Sequence, residues 1–462
     1  MLFDDIARAA KQLEAEIANG PIVPTVTPQE IRDHLTSRYD FKEPAGLNEI
    51  CADIETMLRA WQVQVTHPRY LGLFNPSVTP ASVAADTLAA MYNPQLATWR
   101  TSPAANEIER HTLLWLANKF GFPSNAVANF TVGGAEANLS AVIVALSRAF
   151  PEYGQKGLRS LSATPAIYLT GEAHHVFNRI AKITGLGTSA VRIVGTGADL
   201  KMDLADLARQ VSADRENGFT PFMVVGTAGT TAAGIIDPLP DLAEFCRSQG
   251  LWFHVDAAWG GAAILSPALK GYLTGIEASD SITCDAHKWF SVPMGAGMFF
   301  CRHPESVRAA FSADIAFMPE ATANATADPY TASLQWSRRF IGLKLFLSLA
   351  HHGESGYVEM IEHQAQMGNL LRELLQRSGW RVVNKTPLPV VCFTRDGLVP
   401  ARFLPELLQR QIAWMSEVRL GGIPAVRACI TSYRTAESDI NGIVREMNQL
   451  ASQHAGMALS HA

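Results

Sequence analysis

Residues 251–261 read LWFHVDAAWGG and residues 279–300 read SDSITCDAHKWFSVPMGAGMFF. Each stretch contains a short apolar run, Leu251–Val255 and Ser281–Cys284, that stops abruptly at polar residues. The first run ends in Asp256-Ala257-Ala258, the second in Asp285-Ala286-His287-Lys288. Apolar runs of this length, bounded by turn signals, predict buried strands of a parallel sheet. In open α/β sheets, ligands bind just beyond the carboxyl ends of such strands. Asp256 and Lys288 are therefore expected to project into one crevice. By itself an Asp and a Lys in a crevice is more often an ion pair than a functional site.

The remainder of the chain narrows the classes open to it. The 462 residues are 48% hydrophobic and carry a formal net charge of −5. That length exceeds one ordinary core and predicts two or three lobes. With no basic block, nucleic acid is not an expected partner. The six cysteines show no CxxC pair and no metal-type spacing, which suits buried thiols in a reducing cytoplasm and predicts no metal site. The opening MLFDDIARAAKQLEAEI reads as an amphipathic helix rather than a signal peptide, and no apolar run reaches the ~18 residues of a membrane span.

Taken in order, residues 1–85 read as peripheral helices broken by Pro21, Pro24, Pro28 and Pro44. A helical pattern follows from Ala105 to Lys119. Gly133-Gly134-Ala135-Glu136 then precedes an apolar helix, Leu139–Ala149. Glycines before a helix leave the first-turn N–H groups free, where the helix dipole favours an anion; alone, a Gly-Gly is usually just a turn. From residue 165 strand and helix alternate: strands at Ala166–Leu169, Val191–Val194 and Phe222–Val225, and a helix at Leu239–Ser248. Such alternation predicts a mostly parallel sheet with helices on both faces. Beyond it, helices at 354–378 and 401–412 and strands at Arg381–Val383, Val390–Thr394 and Val426–Ile430 predict a small α+β lobe. The divisions expected are 1–85, 86–345 and 346–462.

His254-Val-Asp256-Ala-Ala258, followed by Asp285-Ala-His287-Lys288-Trp289, resembles the pyridoxal-phosphate site of the group II amino-acid decarboxylases, whose members act on aromatic amino acids, glutamate and diaminobutyrate. The resemblance spans roughly residues 65 to 350 in motif order. It implies the fold type I architecture of aspartate aminotransferase, with pyridoxal 5′-phosphate as cofactor. It further implies that Lys288 links to the cofactor aldehyde and that Asp256 pairs with the ring nitrogen. Gly134 and Ala135 match the phosphate cradle, and Ala258, Thr227 and His287 are implied as further cofactor contacts. His174 and His175 compete for the histidine that stacks on the ring; His174, eleven residues before Gly185, fits the family's spacing. On the substrate side, Phe74 lies in a matching stretch, although it also reads as a core residue. Arg427, in Val426-Arg427-Ala428-Cys429-Ile430, resembles the arginine that binds a substrate carboxylate. An arginine in a strand is more commonly a surface residue. The partners implied are a small L-amino acid and a second copy of the chain, with the N-terminal arm wrapping it and the active site at the interface.

The pattern breaks between Arg302 and Gln335. There the decarboxylases carry, on a loop from the neighbouring subunit, a tyrosine that reprotonates the α-carbon after CO2 leaves. Counting along Ala310-Phe311-Ser312-Ala313-Asp314-Ile315-Ala316-Phe317 puts Phe317 in its place; the segment's tyrosine is Tyr330. Phe cannot donate a proton, and related enzymes with this replacement can release an aldehyde, ammonia and peroxide. Leu73 and Ala97 stand where aromatic-specific enzymes tend to place rings. Three readings follow: decarboxylation to an amine, oxidative release of an aldehyde, and a non-catalytic scaffold on the same fold, against which the intact Asp256, Lys288 and His174 argue.

Overall fold

A computed structural model describes residues 2–312 and 328–460, so Phe317 lies outside the described residues. The chain opens with helices α1 (Leu2–Glu16), α2 (Pro28–Arg38), α3 (Leu47–Ala60), α4 (Pro80–Tyr92) and α5 (Pro103–Lys119). Three of these begin with proline, whose missing N–H costs nothing in a first turn. Thr27 caps α2 by accepting from the Glu30 N–H, while the Glu30 carboxylate accepts from the Thr27 N–H. The helix expected from Ala105 thus starts two residues earlier, at Pro103.

Strands β1 (Val127–Thr131), β2 (Thr164–Thr170), β3 (Val191–Val194), β4 (Phe219–Thr227), β5 (Trp252–Asp256), β6 (Ser281–Asp285) and β7 (Gly297–Cys301) form one sheet in the order β1-β7-β6-β5-β4-β2-β3. Helices α6 (Gly134–Ala149), α7 (Tyr153–Lys156), α8 (Val176–Ile183), α9 (Leu204–Glu216) and α10 (Leu239–Gln249) fall between the strands, and α11 (Pro304–Phe311) follows β7. β2 to β6 run parallel, whereas β7 is antiparallel to both β1 and β6. Every residue of β5, β6 and β7 is buried, which is why these strands read as continuous apolar runs. Fully burying a side chain such as Phe299 contributes roughly 1.5–3 kcal/mol. β1 and β7 had no strand signal assigned to them. They pair across a gap in sequence, and β7 opens on Gly297, where a Cβ would lie 2.6 Å from the Gly133 backbone.

Helix α12 (Leu343–Arg377) leads into the C-terminal part and breaks at Gly353, whose φ of 66° is left-handed. The helix expected from 354 is its second half. The base of α12 is tied down by a buried fork: Arg338 Nη1 and Nη2 donate to Glu109 at 3.0 and 2.6 Å, and the Gly342 N–H donates to Glu109 Oε1 at 2.9 Å. Beyond it, β8 (Arg381–Val382), β9 (Val390–Thr394), α13 (Pro400–Gln409), β10 (Ser416–Leu420), β11 (Ile423–Cys429) and α14 (Glu437–Ser460) build an antiparallel sheet, ordered β10-β11-β9-β8, with helices. β10 was not anticipated because its residues alternate between half-buried and exposed. It is joined to β11 by Gly421-Gly422, both at positive φ, as a two-residue hairpin requires. Among the described residues, no helix is long and apolar enough to cross a membrane.

Candidate active site

The parallel register brings the expected residues to one edge of the sheet. Thr227, the last residue of β4, pairs with Asp256, the last of β5, and Asp256 pairs with Thr283 in β6. β6 then ends in Asp285, and the turn after it brings Lys288 back, so that its Nζ lies 3.0 Å from Asp285 Oδ2. Burial alone would push the Lys288 amine down. The Asp285 and Asp256 carboxylates outweigh that and hold it above the ordinary lysine range.

Asp256 is buried and already engaged from the protein side. Its Oδ2 accepts from Asn138 Nδ2 at 2.9 Å and its Oδ1 from the Ala258 N–H at 3.1 Å. His174 follows the end of β2 and feels the charges of Asp256, Lys288 and Asp285, which places it in the same crevice. Burial lowers its pKa and dominates the opposing pull of Asp256. The Val176 N–H donates to His174 Nδ1 at 3.1 Å, so in the neutral ring Nε2 carries the proton. His175 forms the N-terminal boundary of α8 and makes no side-chain capping bond there.

Gly134 opens α6 directly above this cluster. A Cβ there would lie 2.8 Å from Asp285 Oδ2 and 3.3 Å from the Ala258 side chain, so only glycine lets the helix start come so close. The N–H groups of a first turn have no partner within the helix, which leaves those of Gly134 and Ala135 for an anion. His287 is buried beside Gly133; the Ala296 N–H donates to its Nδ1 at 3.1 Å, leaving Nε2 as the neutral ring's donor. Burial holds its pKa down against Asp285.

Phe74 and Arg427 also meet. The Arg427 guanidinium sits 4.8 Å over the Phe74 ring, Phe74 stacks on Trp259 at 4.5 Å, and Trp259 stacks on Trp289 at 5.0 Å. This column joins the residue after Lys288 to the small antiparallel sheet. Arg427 Nη1 donates to the Gly72 carbonyl at 3.0 Å, whereas its buried Nε and Nη2 have no hydrogen-bond partner among the described residues. Leu73 is half exposed, and Ala97 is buried. Tyr330 packs on Trp336 at 5.1 Å and its N–H donates to the Ala97 carbonyl. It makes no hydrogen bond or ring contact with His174, Asp256 or Lys288 among the described residues.

These residues fit pyridoxal phosphate on an observation independent of motif. Among the described residues, buried polar atoms without a partner line neighbouring strands here: Thr170 Oγ1 and Thr227 Oγ1 at the ends of β2 and β4, and Thr283 Oγ1 and Asp285 Oδ1 in β6. Orphaned buried atoms are costly, and a polar ligand in the crevice would relieve them. Asn138 and His254, which were given no role on sequence grounds, stand behind Asp256. Asn138 reads as an ordinary helix residue, and His254, although it heads the motif around Asp256, sits in an apolar strand with nothing local to show its partner.

Comparison with known proteins agrees. The model of the pyridoxal-dependent decarboxylase conserved domain matches residues 28–395. An aromatic-L-amino-acid decarboxylase from Bacillus atrophaeus is 28% identical over 402 residues, covering 84% of this chain and 82% of its own. A 4-hydroxyphenylacetaldehyde synthase from Rhodiola rosea is 25% identical over 469 residues, covering 98% and 94%. Among solved structures, a Catharanthus roseus tryptophan decarboxylase in complex with L-tryptophan superposes with a TM-score of 0.89 at 23% identity, covering 98% of this chain and 97% of that one. The fold is therefore the pyridoxal-phosphate fold type I expected from the motifs.

Proposed function

This chain belongs to the pyridoxal-dependent decarboxylase family and is a pyridoxal-phosphate-dependent carboxy-lyase; from that premise we propose that it converts an L-amino acid to its amine and CO2. The observation that carries the reading is the convergence of Asp256, Lys288 and the Gly134 helix start beyond the carboxyl ends of β5 and β6. When bound, the cofactor supplies an aldehyde for covalent linkage and a protonated ring that takes up the electron pair released with CO2.

In this reading each side chain has one task. Lys288 makes the covalent link, and Asp285 receives it as an ammonium whenever the link opens. Asp256 holds the proton on the ring nitrogen. Gly134, Ala135 and His287 Nε2–H take the phosphate, Thr227 and Ala258 line the ring, and His174 packs against its face. The unpartnered donors of Arg427 form a fork for a substrate carboxylate, steadied by the Phe74 ring beneath. Fixed dipoles arranged in this way are commonly the largest catalytic contribution. We assign the chain three parts, 1–85, 86–345 and 346–462, and a homodimer whose first part wraps the second copy and whose active site lies at the interface. Six unpaired thiols support a cytoplasmic setting.

A second reading ends in an aldehyde. It is supported by Phe317 at the counted loop position and by the aldehyde synthase among the relatives. One dioxygen and one water are consumed per amino acid, and aldehyde, CO2, ammonia and hydrogen peroxide are released. Both readings are tested by purifying the protein with pyridoxal phosphate, reducing it with borohydride and locating the modified residue. An amino-acid panel follows, with CO2, amine, aldehyde and peroxide all measured. A protein with no cofactor band that borohydride shifts, and no CO2 from any amino acid, would favour a non-catalytic scaffold instead.

A further inference from the structure

Behind Asp256 runs an unbroken line of buried hydrogen bonds. Asp256 Oδ2 meets Asn138 Nδ2 at 2.9 Å, Asn138 Oδ1 meets His254 Nε2 at 2.9 Å, His254 Nδ1 meets Ser281 Oγ at 2.8 Å, and Ser281 Oγ meets Trp252 Nε1 at 2.9 Å. All five residues are at most 5% exposed. The members come from α6, β5 and β6, with Asn138 and His254 116 residues apart in sequence.

The ends of this line determine its direction. An indole N–H can only donate, and a carboxylate can only accept. At the carboxylate end Asn138 must turn its NH2 to Asp256, so its Oδ1 faces His254 and His254 Nε2 donates to it. In a neutral ring Nδ1 is then an acceptor, and Ser281 Oγ, which accepts from Trp252, gives its own proton to Nδ1. Each donor points toward the carboxylate; the alternative, an imidazolium donating from both nitrogens, would place a positive charge in a fully buried site. Burial, which pushes the His254 pKa down to about 4, agrees with a neutral ring.

We propose that Asn138 and His254 are positioning residues that orient Asp256 toward the cofactor ring through this one-way relay. The proposal rests on Asp256 as the ring-nitrogen partner. Asp256 has two oxygens, and the relay fixes Oδ2 while the Ala258 N–H fixes Oδ1. The carboxylate can then neither rotate nor withdraw, and its remaining lone pairs point in a set direction. Holding a reacting group within a fraction of an ångström through a supporting shell is what makes such sites effective.

The test combines spectroscopy with three variants of the holoenzyme. Nitrogen-15 NMR of histidine-labelled protein should find His254 neutral at pH 7 with the proton on Nε2; a proton on Nδ1, or an imidazolium, would overturn the relay. His254→Leu removes the donor to Asn138, and kcat should fall about ten- to a hundredfold, as when a supporting partner behind a catalytic ligand is lost. KM should move far less, and the pH titration of the bound-cofactor absorbance should shift. His254→Gln, which keeps a donor at that end, should restore most of both. Should His254→Leu fail to fold, Asn138→Asp preserves the shape while placing two carboxylates in contact, which cannot both stay charged; it should shift the same titration and lower kcat. A wild-type titration and kcat in folded Asn138→Asp or His254→Leu would overturn the proposal. Asp256→Ala separates the two layers. If that variant leaves the cofactor band unchanged, the assignment of Asp256 fails and the proposal with it. If Asp256→Ala shifts the band while the relay variants do not, the proposal alone fails.

Discussion

Lys288 Nζ lies 3.0 Å from Asp285 Oδ2 across a single turn, and Asp285 is itself pressed against the start of α6. The pair parks the lysine as an ammonium. Its folded-state pKa is raised, so the stabilising contribution is complete below the ordinary value of about 10.4 and is lost only as pH climbs through the higher folded value. At neutral pH the amine must shed that proton before it can attack an aldehyde. Asp285→Asn should therefore shift the pH profile of cofactor capture by the cofactor-free protein to lower pH, by about one unit or more. Superimposable profiles would show that Asp285 does not set the state of Lys288.

Replacing the lysine tests the same pair from the other side. Lys288→Ala should abolish turnover, because the proposed covalent link is gone, while the circular dichroism spectrum stays native. It also leaves the buried Asp285 carboxylate without its counter-charge, a change that costs about 3–5 kcal/mol where no compensation occurs. The melting temperature should fall, and adding Asp285→Asn should recover most of the loss. Full turnover in Lys288→Ala would remove the proposed chemistry altogether.

Asp256 should be nearly as sensitive. Asp256→Asn or Asp256→Ala removes the charge from the proposed ring-nitrogen partner and should lower kcat by orders of magnitude. A loss of less than about tenfold, roughly 1.4 kcal/mol, would mean that another group fills that role.

Two buried groups make opposite contributions to acid stability. His254 has a folded pKa of about 4, below its unfolded value near 6.5, so the unfolded chain binds the extra proton between those values and stability falls as pH drops through them. The loss is on the order of 3 kcal/mol at full effect. Asp237 accepts from the Thr227 and Met202 N–H groups, yet burial pushes it up to about 6. Its folded form takes the proton first, so its own contribution grows as pH falls from about 6 toward 4. Urea midpoints followed from pH 7 to 4.5 should therefore fall more steeply in Asp237→Asn than in wild type, and less steeply in His254→Gln. Parallel curves for all three would show that neither group titrates as its burial dictates.

Much of the site was readable because its residues sit at strand ends. Asp256, Asp285 and Lys288 interrupt apolar runs, and a parallel sheet brings such interruptions together wherever they lie in the chain. His174 was preferred to His175 for its distance to Gly185, and Asp256, Lys288 and Asp285 lie near enough to act on its ring. The rest depended on contacts that sequence does not encode locally. β7 inserts antiparallel between β1 and β6, a pairing set by topology. Asn138 looks like any residue early in a helix and His254 like a misfit in a buried strand; only the α6–β5 packing explains both. The Arg427–Phe74–Trp259–Trp289 column likewise joins four separate segments.

The product is decided by what reaches the α-carbon after CO2 leaves. A proton gives the amine, and dioxygen gives the aldehyde and peroxide. Phe317, at the counted position, has no proton to give, while Tyr330 has a hydroxyl but its ring packs on Trp336 and its backbone N–H donates to the Ala97 carbonyl. If Phe317 stands in the donor's place, wild type should release aldehyde and peroxide alongside any amine, and Phe317→Tyr should shift the ratio toward amine. That change adds only a hydroxyl to an existing ring; left buried and unpaired it would cost about 1–3 kcal/mol, so melting should be checked alongside. If Tyr330 is the donor, wild type should give amine without peroxide, and Tyr330→Phe should be the variant that produces aldehyde. Amine and peroxide quantified on the same samples separate the cases. An amine-only wild type whose ratio Phe317→Tyr leaves unmoved would eliminate Phe317 as the switch.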